Sequence, residues 1–520
     1  MRSSFSRHGL NRAALAILVG LGVLAPACAP GEAKAKGPNI LWVVWDTTRA
    51  DRMSLYGHER ETTPFLEEWT AKNARVFENC ISTASSTVPS HAGMFTGKLP
   101  SEHGSRFGHQ WLDDAHRTAA ELLSDAGYRT FLWAANPHIS SHENFQQGFD
   151  VERHPWDDET IQSAFRIVLG KVKGDKSSEL ARKLRSGKGT PWMIKAAGEL
   201  AEPTLQEWLK ESDSEQPFFA FLNYMEAHRP FVPPQEFRER FMTPEEIQRS
   251  YEVDRSWTPM WSYTFGLHEY TDEELAIMAA TYDATLAELD ALFKSLISSL
   301  EASGHLEDTV IILTGDHGEH LGEHHMLDHQ YSLYNGLIRV PMIVSYPGRV
   351  EVGRDERPVA NYDVFPTLLE LADIAPPGDF DSSAVSLMSP VADRARLAEL
   401  PAIFTEPFPP VRKAHPDFDP TPWERRLRAF HKGDYKLIWA ENGEHELYNE
   451  ALDPGEESNL FEAEPLVAKR MLDDLHEFAR KLQAAAVTGD SDHQRDPAYL
   501  EMLKGLGYVD DGEEDEDEKE

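Results

Sequence analysis

Short apolar runs alternate with longer segments of helical spacing along most of this chain. Asn39–Trp45, Arg129–Ala134, Phe218–Tyr224, Thr309–Leu313 and Pro341–Ser345 are each short and continuously apolar, which predicts strands buried on both faces. Between them, Thr63–Asn73, Ala115–Ala126 and Asp272–Ala302 carry apolar residues at helical intervals, the last through Ala279, Ala280, Leu286, Leu289 and Leu292. The alternation predicts an α/β fold, a mostly parallel central sheet flanked by helices. No internal repeat is visible.

The pattern changes past Ala375-Pro376-Pro377-Gly378. Tyr435–Trp439 and His445–Tyr448, joined across Glu441-Asn442-Gly443, predict a hairpin, and Pro465–Ala485 a helix packed on it. This gives an α/β domain over 37–378 with a helical insertion at 157–211, and a smaller C-terminal α+β subdomain over 379–509. The insertion holds nine basic residues between Arg166 and Lys195 against Asp175 and Glu179 alone. It would serve an anionic substrate or membrane surface, or form a solvated helical face.

The ends are distinct. Arg2, Arg7 and Arg12 precede the apolar run Ala13–Ala27, which reads as a signal peptide over 1–28 and so as export to the periplasm, the cell envelope or the medium. Leu24-Ala25-Pro26-Ala27-Cys28 resembles a lipobox loosely, leaving open attachment to a membrane through a lipidated Cys28. Residues 510–520 hold nine acids and one lysine and read as a solvated, disordered tail. Across 520 residues, 51 Lys+Arg face 88 Asp+Glu, a net charge of −37, so no basic surplus exists to bind nucleic acid. With only Cys28 and Cys80, a disulfide framework is excluded although a single bridge is not.

Polar residues just beyond strand ends are the first candidates for chemistry, because ligands bind at the carboxyl edges of such sheets. Asp46-Thr47 follows the first strand and Asp316-His317-Gly318 follows Thr309–Leu313. Asp46, Asp316 and His317 would hold a divalent cation if they converge; either pair alone would serve as a helix cap. In Ser86-Thr87-Val88-Pro89-Ser90-His91, Pro89 suits a first helical turn and Thr87 stands just before it. A hydroxyl there faces the positive helix end and is a candidate nucleophile, with a capping box as the structural alternative.

These residues resemble the sulfatases of the alkaline phosphatase superfamily over roughly 37–508. The likeness lies in ordered motifs: Asn39–Asp46 with Thr48-Arg49-Ala50-Asp51, Leu55-Tyr56-Gly57, Thr62–Leu66, Thr87–Gly97, Phe218–His228 with Pro230, Thr314–His325, Arg339-Val340-Pro341, Glu446-Leu447-Tyr448 through Asn459-Leu460, and Lys504–Tyr508. The resemblance implies an alkaline phosphatase-like fold and a metal shell of Asp46, Thr87, Asp316 and His317, with Thr47 at the family's second Asp position. It puts His228 and His329 at substrate-binding positions, the latter where many members have Lys, and His91 where the family has Arg. Each could donate to an ester oxygen, and His329 could protonate the leaving group.

Two departures fall in this site. Sulfatases convert Cys or Ser to formylglycine at the position of Thr87, and a secondary alcohol cannot yield that aldehyde, so no formylglycine is expected. Ala134-Ala135-Asn136-Pro137 replaces a Gly-Lys-Trp-His stretch and loses a substrate-contacting Lys. An unmodified Thr suits phosphate and phosphonate esters, and a site with His317 suits Mn²⁺ or Zn²⁺ as well as Ca²⁺. Hydrolysis of a small-molecule or glycan sulfate ester is the alternative, followed by phosphotransfer or a catalytically weak glycan-binding module. His320-Leu321-Gly322-Glu323-His324 spells a zinc-protease motif, but that motif needs a helix, which Gly318 and Gly322 disfavour. Oligomeric state is not legible.

Overall fold

The computed structural model describes residues 37–175, 181–182, 190–211, 216–378, 380–391 and 393–482, with Tyr499 and Leu503. The signal segment, Cys28, Lys504–Tyr508 and the acidic tail lie outside the described residues.

The strands are β1 (Asn39–Trp45), β2 (Arg75–Ile81), β3 (Arg129–Ala134), β4 (Val151–Arg153), β5 (Phe218–Tyr224), β6 (Thr309–Gly315), β7 (His320–Leu321), β8 (Leu327–Asp328), β9 (Met342–Ser345), β10 (Gly353–Ala360), β11 (Arg396–Leu400), β12 (Leu427–Lys432), β13 (Tyr435–Ala440) and β14 (Glu446–Asn449). All five apolar runs form strands. β9 starts after Pro341, which has no N–H for a ladder. β2, β4 and β10 were not expected. Arg75, Glu78 and Asn79 interrupt β2, and the charged, largely exposed Gly353-Arg354-Asp355-Glu356-Arg357 of β10 suits a sheet edge and reads as loop.

The eight-stranded sheet has the order β10-β2-β9-β6-β1-β5-β3-β4. Every pairing is parallel except those of β9, which runs antiparallel to β2 and β6. Between β6 and β9 lie the two-residue strands β7 and β8, a 3₁₀ turn and the small helix Asn335–Ile338, with no long helix that would serve as the crossover of a parallel return. Side chains of β1 alternate between two apolar layers: Leu41, Val43 and Trp45 face one, Ile40, Trp42 and Val44 the other. The first layer takes the helix Asp272–Ala302, capped by Thr271 accepting from the Glu274 N–H. The second takes Thr87–Thr96, Ala119–Asp125 and Val364–Leu371. The helix expected over Ala115–Ala126 starts only at Ala119, because Thr118 caps it.

The insertion contributes the helices Ile161–Lys171 and Ala197–Lys210, linked to the body by the 3₁₀ turn Thr190–Ala196. Arg166 and Lys173 are exposed, but Lys171 and Lys195 are buried. At the C-terminal end β11 to β14 form a separate antiparallel sheet, covered by the helix Pro465–Ala479. That sheet holds the segment between β8 and β9: Leu333, Leu337 and Ile338 pack on it, and Asn335 N donates to Glu456 Oε2 at 2.6 Å. Cys80 is buried and is a free thiol among the described residues, which do not include Cys28.

Candidate active site

Strand register assembles the site. Trp45 at the end of β1 lies level with Gly315 of β6 on one side and Tyr224 of β5 on the other. Asp46, Asp316 and Met225 therefore leave the sheet together at its carboxyl edge. Ala134 at the end of β3 is level with Asn223, which brings Asn136 to the same edge.

Ligand atoms of Asp46, Asp316 and His317 all lie within 4.8 Å of one another, and all three residues are buried. Asp316 Oδ1 accepts from the N–H groups of Thr47 at 3.0 Å and His317 at 2.8 Å. Asp316 Oδ2 and Asp46 Oδ1 are buried and accept no hydrogen bond from the described residues. Burial pushes Asp46 up to about 6, with the Asp316 charge adding to it, and pushes Asp316 up to about 7. Burial also pulls His317 down to about 3, which keeps its ring neutral and able to ligate. Two donor-less carboxylate oxygens and a neutral imidazole lack positive charge, and a divalent cation fits that deficit.

Thr47 adopts a left-handed φ of 53°, turns its hydroxyl to Asp46 O at 2.8 Å, and offers Asp316 its peptide N–H. Thr87 is the first residue of its helix rather than the one before it, since Ser86, in extended backbone, takes the cap position. Its hydroxyl does not cap. Thr87 Oγ1 lies 3.4 Å from His317 Nε2 and accepts from Asn136 Nδ2 at 3.3 Å.

His91, one turn on, stands behind these groups. Its Nδ1 is 3.0 Å from Thr87 O and 3.6 Å from Asp316 Oδ2, and its ring meets Phe95, Phe145 and Phe221 edge-on. Burial pulls it down to about 3, so it is a neutral ring within an aromatic wall.

His228 and His329 come together with their rings 5.2 Å apart, and His329 lies 4.6 Å from the ring of His317. Burial opposes charge on His329. Asp328 Oδ1 at 2.9 Å and Glu319 Oε2 at 3.4 Å nevertheless raise it to about 10, making it an imidazolium. Burial and that neighbouring charge hold His228 well below the usual histidine range. Glu319, Asp328 and His329 form a second compact group of possible ligands. Its carboxylates already face cations, because Arg229 Nη2 donates to Asp328 Oδ2 at 2.9 Å. The protease-like His320 to His324 stretch is no α-helix: His320 lies in β7, and His324, at φ 55° in a short 3₁₀ turn, stacks on Tyr334.

Sequence reasoning missed two amides. Asn136 Nδ2 donates to Asp46 Oδ2 at 2.8 Å as well as to Thr87, and Asn223 Nδ2 reaches the same Asp46 oxygen at 3.3 Å. Asn223 Oδ1 in turn accepts from Asn136 N at 2.9 Å. One signal was available: Asn223 is the only amide in the apolar run Phe218–Tyr224. Asn136 reads in the sequence only as one position of the stretch that replaces Gly-Lys-Trp-His.

The sulfatase family model matches residues 38–374, and the C-terminal model of N-sulphoglucosamine sulphohydrolase matches 322–484. An N-acetylglucosamine-6-O-sulfatase of Bacteroides thetaiotaomicron is 23% identical over 514 residues, covering 84% of this chain and 85% of its own. The phosphonate monoester hydrolase of Agrobacterium radiobacter shares the fold with a TM-score of 0.64 at 20% identity, over 85% of this chain and 95% of that one. A protein solved with its substrate D-glucosamine-2-N,6-O-disulfate also superposes with a TM-score of 0.64 at 20% identity, over 86% and 98%. With a family match over more than half its length, the chain belongs to the sulfatase family of the alkaline phosphatase superfamily and is an ester hydrolase.

Proposed function

We propose that the protein is an exported metallohydrolase that cleaves phosphate or phosphonate esters with Thr87 as nucleophile. The observation that carries this reading is the position of Thr87 Oγ1, at the first residue of a helix and 3.4 Å from His317 Nε2, beside two raised carboxylates. The helix end favours the ionised hydroxyl. A divalent cation (Mn²⁺, Zn²⁺ or Ca²⁺) held by Asp46, Asp316, His317 and Thr87 would supply the charge that lowers the hydroxyl pKa further.

The ionised Thr87 oxygen bonds to phosphorus as the bond from phosphorus to the leaving oxygen breaks; water then attacks phosphorus, returns a proton to His329, and the Thr87 oxygen leaves as it began. His329, charged by Asp328 and Glu319, gives its proton to the leaving oxygen. Asn136 gives its two Nδ2 hydrogens to Asp46 Oδ2 and Thr87 Oγ1 and so aims the nucleophile, and His228, a neutral ring that donates from Nδ1 to Arg229 O at 2.6 Å, would meet the substrate through Nε2 as an acceptor. Thr47 orients Asp316 through its N–H, and His91 backs Thr87 and Asp316 from the aromatic wall. The unmodified Thr requires no formylglycine. Export rests on the arginines and apolar run before Cys28, the residue a lipid anchor would use.

Two matches favour a second reading, hydrolysis of sulfated sugars or small sulfate esters: the N-acetylglucosamine-6-O-sulfatase relative and the C-terminal N-sulphoglucosamine sulphohydrolase model. The test is a panel of aryl phosphonate, aryl phosphodiester and aryl sulfate on metal-loaded protein, with the mass of the Thr87 peptide. Faster turnover of the phosphorus esters, lost in Thr87→Ala with metal content kept, is expected. Faster turnover of the sulfate favours the second reading, and activity that survives Thr87→Ala removes Thr87 from the mechanism.

A further inference from the structure

We infer that Lys195, carried in by the insertion, is a positioning residue that holds His228 in the site. The inference rests on the reading of His228 as a group that contacts substrate. Lys195 is 1% exposed, and Ile194 and Ala197 beside it pack on Ala135 and Met225. Its Nζ donates to Met225 O at 2.5 Å and to His228 O at a still shorter separation. Those carbonyls are the two ends of Met225-Glu226-Ala227-His228, the tetrapeptide that leaves β5 toward the site. One side-chain nitrogen thus ties both ends of the turn that carries His228.

The insertion grips the middle of that turn as well. Glu226 Oε1 accepts from Gly198 N at 2.9 Å. A Cβ at Gly198 would lie 2.4 Å from Leu292 Cδ1 and 3.2 Å from Tyr224 Cε2, so the start of the helix Ala197–Lys210 sits directly on β5 and the helix Asp272–Ala302. Behind Lys195, Lys171 Nζ donates to Lys195 O at 2.5 Å and pairs with Glu288 at 2.6 Å and Glu199 at 2.9 Å. A buried ammonium is retained only where acceptors and counter-charges meet it. Burial pulls Lys195 down to about 7 against the favourable charges of Glu226 and Asp46, and in either protonation state Nζ keeps two N–H donors for the two carbonyls of the His228 turn. The two buried lysines of the basic insertion therefore act inward, on catalytic geometry, and not on a distant anionic surface.

A double-mutant cycle on an aryl ester that the protein turns over tests this, with Tm and metal content as controls. Lys195→Met alone is expected to lower kcat/KM roughly 10²-fold, the scale of a misplaced site group. In a His228→Ala background the same change is expected to cost less than about threefold, because coupled residues do not add. Equal losses in both backgrounds, or no loss from Lys195→Met, overturn the inference and leave the His228 reading intact. Unchanged kcat/KM in His228→Ala sinks that reading and the inference with it. If Lys195→Met does not fold, Lys195→Gln, whose shorter side chain still ends in an N–H donor, takes its place in the cycle. Failure of both to fold assigns Lys195 to the core and also overturns the inference.

Discussion

Asn136 donates through Nδ2 to Asp46 Oδ2 at 2.8 Å. The same amide reaches Thr87 Oγ1 at 3.3 Å, so one side chain from the end of β3 joins a carboxylate of the ligand group to the hydroxyl that faces it. Asn136→Ala removes both donations while Asn223 still touches Asp46. Initial rates are expected to fall about 10²-fold, the usual cost of losing one aimed donor, with the melting temperature nearly unchanged. A loss below about tenfold would make the amide a structural prop.

Metal binding is expected to depend on pH through Asp46 and Asp316. Their folded values of about 6 and about 7 stand above the 3.8 of a free carboxyl, so the metal-free fold loses stability as pH rises through that interval. A cation that pairs with both carboxylates removes that loss. Addition of Mn²⁺ or Zn²⁺ to chelator-treated protein should therefore raise Tm more at pH 8 than at pH 5.5. The metal-dependent difference is the quantity to read, because buried neutral histidines such as His91 and His320 act in the opposite direction on both forms. An equal rise at both pH values would separate these carboxylates from the metal.

His329 is held as an imidazolium by Asp328 and Glu319, which suits it to protonate a leaving oxygen. His329→Gln should cost about 10²-fold or more with an alkyl leaving group and far less with a nitrophenyl one, which leaves without a proton. Steady-state rates on the two esters check this. The same factor for both would make His329 a binding group.

Gly198→Ala tests how closely the insertion is docked. The added methyl meets Leu292 Cδ1 at 2.4 Å, and relief must come from Leu292 or from the helix itself. A loss of about 1–3 kcal/mol is expected in denaturant unfolding, as for other overpacked cores. Unchanged stability would show that Leu292 swings away freely.

Much of this molecule is legible in its sequence. Strands buried on both faces have continuous apolar sequences, so β1, β3, β5, β6 and β9 stood out, and Asp46 and Asp316 stood out as the polar residues that end two of them. The edge strand β10 did not, because the solvent that replaces a neighbouring strand there permits charged residues. Asn136 and Asn223 were passed over because an amide has no titration or ligand signature in a sequence; its role depends on what stands opposite. Lys171 and Lys195 read as solvated charge for the same reason, since burial is not a property of a residue type.

The sequence by itself determined the alternation of strands and helices, the inventory of acids, histidines and the Thr87 hydroxyl, and the departure from a Cys or Ser at that position. Local pattern suffices for these, because apolar spacing and side-chain chemistry are properties of short segments. Tertiary structure alone decided that β1, β5 and β6 lie side by side with Trp45 level with Tyr224 and Gly315. It likewise decided that β9 runs backward, that Thr87 opens its helix, and that two lysines of the insertion turn inward. Those outcomes depend on contacts between residues far apart in the chain, where one register, one direction of return and one buried charge balance are selected by the packing of the whole.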